Sequence, residues 1–282
     1  MTSHPTIQQL VSFYERKTSA ILERYGPGPR IHYHTGLIDE SKPLTTSGAL
    51  RAQLVAAQER MLHYAAEAWQ LRSVALRDVL DVGCGLGGGA IFWAQEFGAR
   101  VTAVTIAPSH VDLVATFAAQ AGVRSLVQPL LCNALEVPGE SCFDAAVAID
   151  SSSSFPRGPW FRRLSTLLRP GGHVFIFDCF LGRSEYEEPF NRHWCAQIGS
   201  IDEYIAAARE ARFRVEMIED VSVRALHFWT TTSALMQAEA QEKTLSPSEG
   251  AKLEESLRVH ALVLQGLSNG GLHHALMSFV KD

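Results

Sequence analysis

Val79-Leu80-Asp81-Val82-Gly83-Cys84-Gly85-Leu86-Gly87-Gly88-Gly89 sets the architecture of this chain. Four residues of strand character run straight into a glycine cluster, and Ala90 opens a helical stretch that reaches Phe97. Such a turn lets the backbone approach a ligand closely and aims the free N–H groups of a helix start at it, which suits cofactors that contain adenosine. Gly83, Gly85 and Gly88 also satisfy G-x-G-x-x-G, so a dinucleotide-dependent oxidoreductase is a competing reading. That fingerprint calls for an acid about 20 residues further on to hold the ribose. Thr105-Ile106-Ala107-Pro108 stands there without a carboxylate, which weakens the nicotinamide reading.

On both sides of the turn the hydrophobic period changes from helix to strand and back. Strands are expected over 79–82, 100–106, 126–132, 144–149, 173–180, 213–218 and 274–280. Helices are expected over 90–97, 110–121, 160–168, 201–210, 225–241 and 248–266. Pro170-Gly171-Gly172 breaks the chain between a helix and the fifth strand, Ser200 and Glu203 cap the 201–210 helix, and Ser246-Pro247 separates the last two helices. Ahead of the turn, residues 7–25 read as a helix closed by Gly26-Pro27-Gly28-Pro29. An extended piece follows over 31–36, then a polar loop through Pro43, then a helix over 47–69 with Leu50, Leu54, Met61, Leu62 and Ala65 on one face. Strands alternating with helices imply a largely parallel, doubly wound Rossmann-like α/β sheet with helices on both faces. Residues 1–70 are expected to form an N-terminal helical cap, and 71–282 the ligand-binding domain with a helical insertion over about 225–266 near the C-terminus.

The chain has 282 residues, 46% of them hydrophobic and 20% charged, ample for a core, and a net charge of -5. That balance gives no reason to expect nucleic acid or an anionic membrane as partner, although a local pocket for an anionic substrate stays open. Cys84, Cys132, Cys142, Cys179 and Cys195 are odd in number, widely spaced and mostly in apolar runs, which implies buried free thiols. Met1 to Leu10 lacks the pattern of a signal peptide, and no apolar run approaches the ~20 residues that span a bilayer. A cytoplasmic protein with a small-molecule substrate is expected. Whether it forms a homo-oligomer stays open. No metal site is evident from ligand spacing.

Asp81-Val82-Gly83-Cys84-Gly85-Leu86-Gly87-Gly88 resembles the first motif of class I S-adenosylmethionine (SAM)-dependent methyltransferases. Leu168-Arg169-Pro170-Gly171-Gly172 before a strand resembles their late motif. The resemblance implies a Rossmann-like fold of the class I methyltransferase type and SAM as the cofactor, held by Asp81, Gly83, Gly85 and Gly87. Val104-Thr105-Ile106-Ala107-Pro108 looks like the Thr-containing variant of the sarcosine/dimethylglycine, tocopherol and prenyl diphosphate methyltransferases, so Thr105 and Ile106 would meet the ribose. Asn133-Ala134 matches the position that approaches adenine, where an amide can donate and accept. Gln58 belongs to an Ala-Gln pair (Ala57-Gln58) of the same subgroup. It also lies on the apolar stripe of its helix, where an amide needs a partner.

The acceptor is read from the segment after the fourth strand, Asp150-Ser151-Ser152-Ser153-Ser154-Phe155. Asp150 falls where the geranyl diphosphate C-methyltransferases carry a catalytic Glu. Methylation of an alkene carbon creates a cation, which calls for aromatic faces and a carboxylate to remove a proton. Asp150 is therefore a candidate base, or equally a ligand of the SAM amine. The segment from Ile31 to Leu37 resembles the histidine-rich stretch of the same enzymes. His32, Tyr33 and His34, with Arg51 or Arg60, would face an anionic head, and Trp194, Tyr204, Phe228 and Trp229 would line the pocket. Carbon methylation of a prenyl diphosphate is the leading expectation, with Mg²⁺ only if the substrate is a diphosphate. O-, N- or aromatic C-methylation of a natural product or amino acid derivative is the alternative. A non-catalytic SAM-fold scaffold is a further class.

Overall fold

The computed structural model describes residues 5–40, 44–242 and 244–282. Residues 1–4, at the start of the expected cap, and 41–43, in the expected polar loop, lie outside the described residues. α1 (Ile7–Tyr25) opens on Thr6, whose hydroxyl accepts from the Gln9 N–H while the Gln9 side chain accepts from the Thr6 N–H. α2 (Ser47–Ala68) is capped by Thr46 and buries Leu50, Leu54, Gln58, Met61, Leu62 and Ala65, the stripe read from its spacing. Between them the 31–36 piece takes no regular secondary structure. It is tied down where Leu37 N–H donates to Ala57 O and Ile38 N–H to Arg224 O.

The alternation then proceeds as β1 (Asp78–Val82), α3 (Gly88–Phe97), β2 (Arg100–Thr105), α4 (Pro108–Gln120), β3 (Val127–Leu131), β4 (Phe143–Ile149), α5 (Arg157–Leu167) and β5 (Leu168–Leu181). α6 (Glu187–Trp194), α7 (Ile201–Glu210), β6 (Phe213–Asp220), α8 (Ser222–Gln241), α9 (Pro247–Asn269) and β7 (Leu272–Lys281) complete it. The strands form one sheet in the order β3-β2-β1-β4-β5-β7-β6. β7 runs antiparallel to both neighbours, and the other pairs are parallel. The chain walks outward from β1 to β3, then returns to place β4 on the other side of β1. Ligands of doubly wound sheets bind at such a reversal, beyond the carboxyl ends of the strands.

Side chains alternate across the sheet. Val79, Ala145, Val147, Phe175 and Phe177 join the core under α2, α3 and α4. Leu80, Ala146, Ala148, Val174 and Ile176 join the opposite core with Trp160, Phe161 and Phe213. A third cluster packs α6, α8 and α9 around Phe190, Ala225 and Val263.

Three expectations change. Pro170-Gly171-Gly172 does not precede the fifth strand. β5 already pairs at Leu168 with Phe143 and resumes at His173 opposite Ala145, so residues 169–172 bulge against Asp144 alone. α6 has no counterpart among the expected helices, and it presents Phe190 and Trp194 to the site. The five cysteines are free, but only Cys84 and Cys179 are buried, the others half-buried. Among the described residues no helix is long and apolar enough to cross a membrane.

Candidate functional site

A cavity of about 600 Å³ opens at the carboxyl ends of β1, β2, β4 and β5, where the strand order reverses. Its floor is the glycine turn. Gly83 has φ 79°, and a Cβ there would lie 2.6 Å from the Ser151 Cβ. The Gly83 and Cys84 N–H groups both donate to Val104 O at 3.0 Å, which seats the turn against β2. Asp81, Gly83, Gly85, Thr105, Ile106, Asn133 and Ala134 all line the cavity. Burial pushes the Asp81 carboxyl up to about 7. The Thr105 hydroxyl accepts from the Ala107 N–H at 3.1 Å. Asn133 Oδ1 accepts from the Leu135 N–H at 3.1 Å, leaving its amide N–H groups for a ligand. Gln58 Nε2 donates to His34 O at 2.8 Å, while its Oε1 is buried without a partner beside the cavity. Gly87 is the exception among the expected cofactor residues. It does not line the cavity: it sits at the N-cap of α3 with φ 84° and its Cα faces Val114.

On the acceptor side, Asp150 follows β4 with φ 45°, a region Asp tolerates better than most side chains. Its N–H donates to Phe177 O at 2.7 Å, and its Oδ2 accepts the Thr35 N–H at 2.5 Å. Oδ1 is buried with no hydrogen-bond partner among the described residues. Burial pushes this carboxyl up to about 6, against the pull of the Thr35 N–H. The serines after it are scaffolding rather than a plain loop. Ser151 Oγ donates to Val82 O at 2.6 Å, and Ser152 Oγ donates at 2.6 Å to Asp178 Oδ2 on the neighbouring strand.

His32, Tyr33 and His34 line the cavity, the two histidine rings 5.1 Å apart. Burial, with His34 and Arg30 nearby, holds His32 well below its ordinary value, and its Nε2 lies 2.8 Å from Glu59 Oε2. Burial lowers His34 to about 4. Burial favours the neutral form of both, so toward an anionic head they would act as hydrogen-bonding groups rather than as cations. Arg51 pairs with Glu239 at 2.9 Å and Arg60 is exposed; neither lines the cavity. Tyr204 is not a wall either. It is buried in the core with its hydroxyl 2.9 Å from Ser152 Oγ. Trp194, Phe228 and Trp229 do line the cavity, with Trp194 and Trp229 edge to face at 5.7 Å.

Residues 79–172 match the methyltransferase domain family. Geranyl diphosphate 2-C-methyltransferase of Streptomyces lasalocidi is 29% identical over 217 residues, 73% of this chain and 72% of that protein. The 27-O-demethylrifamycin SV methyltransferase of Amycolatopsis mediterranei is 30% identical over 188 residues, 64% of this chain and 69% of its own. This chain belongs to the class I SAM-dependent methyltransferases. The oxidoreductase reading is thereby set aside. A solved structure of a geranyl diphosphate methyltransferase with geranyl diphosphate and sinefungin shares the fold, with TM-score 0.82 at 19% identity over 98% of this chain and 99% of that one. The methyltransferase has room and chemistry for SAM: an acceptor left unpaired on Gln58, a carboxylate on Asp81 and a turn open to close approach.

Several cavity residues of the methyltransferase escaped the sequence reading. Asp178 is one, and its signal was a lone carboxylate in the apolar run Val174-Phe175-Ile176-Phe177-Asp178-Cys179-Phe180. α1 supplies others: Leu10, Tyr14, Lys17, Ile21 and Arg24 all line the cavity. Their 4-3-4-3 spacing marks one helix face, and a Lys and an Arg on an otherwise apolar face mark a binding surface. Lys17 Nζ lies 3.5 Å from the Tyr33 hydroxyl, and burial together with Arg24 lowers Lys17 to about 8. Arg24 pairs with Glu239 at 2.7 Å.

Proposed function

We propose that this methyltransferase transfers the SAM methyl group to a carbon of a prenyl (isoprenoid) diphosphate. The observation that carries the reading is Asp150: a buried carboxylate with one free oxygen, at a cavity walled by aromatic rings. When bound, SAM supplies an electrophilic methyl group, and its transfer onto an alkene leaves a carbocation on the acceptor. Trp194, Phe228 and Trp229 offer ring faces to that charge. Asp150 Oδ1 takes a proton from the carbon next to the cationic centre, and the C–H electron pair becomes the new double bond. On the cofactor side, Gln58, Asp81, Thr105, Ile106, Asn133 and Ala134 hold SAM, with Gly83 and Gly85 giving close approach. The cap formed by α1, the 31–36 piece and α2 contributes to both halves of the site.

The anionic head is assigned to Lys17 and Arg24 of α1 with Tyr25 and Tyr33, in place of Arg51 and Arg60. Among the described residues no cluster of three or more His, Cys, Asp or Glu can hold a metal ion. Mg²⁺ would thus be held mainly by the phosphates themselves, as its chemistry allows. O-methylation is the second reading. The rifamycin relative's name supports it, and so do the buried ring nitrogens His34 Nε2 and His274 Nδ1, which lie at the cavity without a hydrogen-bond partner among the described residues and offer sites for an acceptor hydroxyl.

The test is transfer of labelled methyl from SAM to geranyl diphosphate and, in parallel, to phenols and aromatic amino acids. Label in geranyl diphosphate, lost in Asp150→Asn while SAM affinity survives, supports the reading. Label in phenols alone overturns it in favour of the second. Equal loss of SAM affinity would make Asp150 a cofactor ligand.

A further inference from the structure

β4 and β5 are parallel neighbours with Ile149 opposite Phe177, so Asp150, the residue after β4, stands level with Asp178 inside β5, both at the cavity. They are held very differently. Asp178 Oδ2 accepts from the Ser152 hydroxyl at 2.6 Å and the Ser153 N–H at 3.1 Å, and Oδ1 accepts from the Cys179 N–H at 2.8 Å. Ser152 has one proton, and it goes to Asp178. The hydrogen bond of 2.9 Å between Ser152 and Tyr204 is therefore donated by Tyr204. Three donors thus converge on Asp178 and favour its ionised form, against burial and the neighbouring Asp150, which push its carboxyl up to about 7. Asp150 is held by Thr35 alone, and one of its oxygens has no partner among the described residues.

The other groups facing the pair are Tyr14 of α1, Tyr33 and His34 of the 31–36 piece, Cys179 of β5, Tyr204 of α7 and His274 of β7. Burial keeps Tyr14, Tyr204 and Cys179 protonated and both histidines neutral. None of them offsets a negative charge, so repulsion between two ionised carboxylates would go unrelieved.

We propose that Asp178 is a positioning residue for proton transfer: an anchored negative charge on the adjacent strand that strengthens Asp150 as a base, the two carboxyl groups carrying one proton between them. The catalytic use of that proton rests on the reading of Asp150 given above; the coupling itself does not.

An infrared pH titration of the buried carboxyl band therefore tests it without any acceptor. Beside the step of Asp81, which both variants below keep, wild type should show two separated steps from the pair. Asp178→Asn should leave a single Asp150 step about one pH unit or more below the upper wild-type step. Asp150→Asn should lower the Asp178 step by the same amount, because the coupling is mutual. That second variant also decides the matter if Asp178→Asn does not fold. Titrations of Asp150 and Asp178 that stay where they were when the other is neutralised would overturn the proposal. With geranyl diphosphate as acceptor, the acid limb of kcat should move down in pH in Asp178→Asn. Absence of any transfer would sink the function reading while the infrared result still stands.

Discussion

Gly88→Ala tests how the 31–36 piece is docked on the cofactor turn. An ideal Cβ at Gly88 would lie 2.4 Å from Ile31 O, 2.6 Å from His32 Nδ1 and 2.8 Å from the Ile31 carbonyl carbon. Two of these contacts are backbone, so no rotamer change relieves them, and the 31–32 backbone must shift outward. Gly88 is the first residue of α3, where Ala gains at most about 1 kcal/mol over Gly from helix propensity. Overpacking typically costs about 1–3 kcal/mol, so the net effect is destabilising by roughly 1–2 kcal/mol. For a chain of this size that lowers Tm by a few degrees. The shift also carries Thr35 away from Asp150 and the His34 carbonyl away from Gln58, so SAM affinity should fall with stability. Gly48→Ala is the internal control. Gly48 lies in the first turn of α2 with nothing within 4 Å of its Cβ position, and Ala there should stabilise by up to about 1 kcal/mol. Thermal denaturation and SAM titration read both variants. A Gly88→Ala protein as stable as Gly48→Ala, with unchanged SAM affinity, would refute the docking argument.

Gln58→Ala should weaken SAM binding about tenfold or more and also lower Tm, since it removes a cofactor partner and strands the His34 carbonyl; calorimetric titration checks it, and unchanged affinity would remove Gln58 from the site. Lys17→Met should raise KM for geranyl diphosphate about tenfold with little change in kcat, the signature of lost ground-state binding, while leaving a neutral acceptor unaffected. Without ligand, stability should peak at about pH 6. Asp81, pushed up to about 7, and the Asp150–Asp178 pair, which shares one proton, keep protons that the unfolded chain loses near the ordinary carboxylate value, so their contribution falls as pH rises from there toward 7. His34, His193, His260 and His274, lowered to about 4, take stability away as pH falls below the ordinary histidine value. Tm measured across this range should flatten on its alkaline side in Asp81→Asn, and a monotonic profile in wild type would contradict the balance.

The alternation from β1 to β5 was readable because strand and helix periods are local, and so was Gln58, an amide on an apolar stripe. The bulge at Pro170-Gly171-Gly172 was not, since only the pairing of β5 with Phe143 and Ala145 reveals it. Nor was the roof of the cavity. α1 docks where the Thr18 hydroxyl meets His110 Nε2 at 2.9 Å, a contact across 92 residues that no window of sequence contains. Lys17 and Arg24 were therefore given no role by the sequence alone. Asp178 read as a strand residue because its partners, Ser152 and Asp150, lie on another strand end.

The placement of charge explains why these pieces belong to one site. The three buried carboxylates, Asp81, Asp150 and Asp178, stand at the carboxyl ends of β1, β4 and β5, while Lys17 and Arg24 stand on α1. Each carboxylate is costly without a ligand, as the upward shift of all three records. SAM carries its positive charges on a sulfonium and an ammonium, and a carbocation on an acceptor would add a transient third. A sheet edge that is negative and poorly solvated suits such charges, and a helix that is positive suits the opposite end of an amphiphilic acceptor. On the prenyl diphosphate reading, the same polarity would repel an anionic head that entered the wrong way round, so the three carboxylates would also set the direction in which such an acceptor binds.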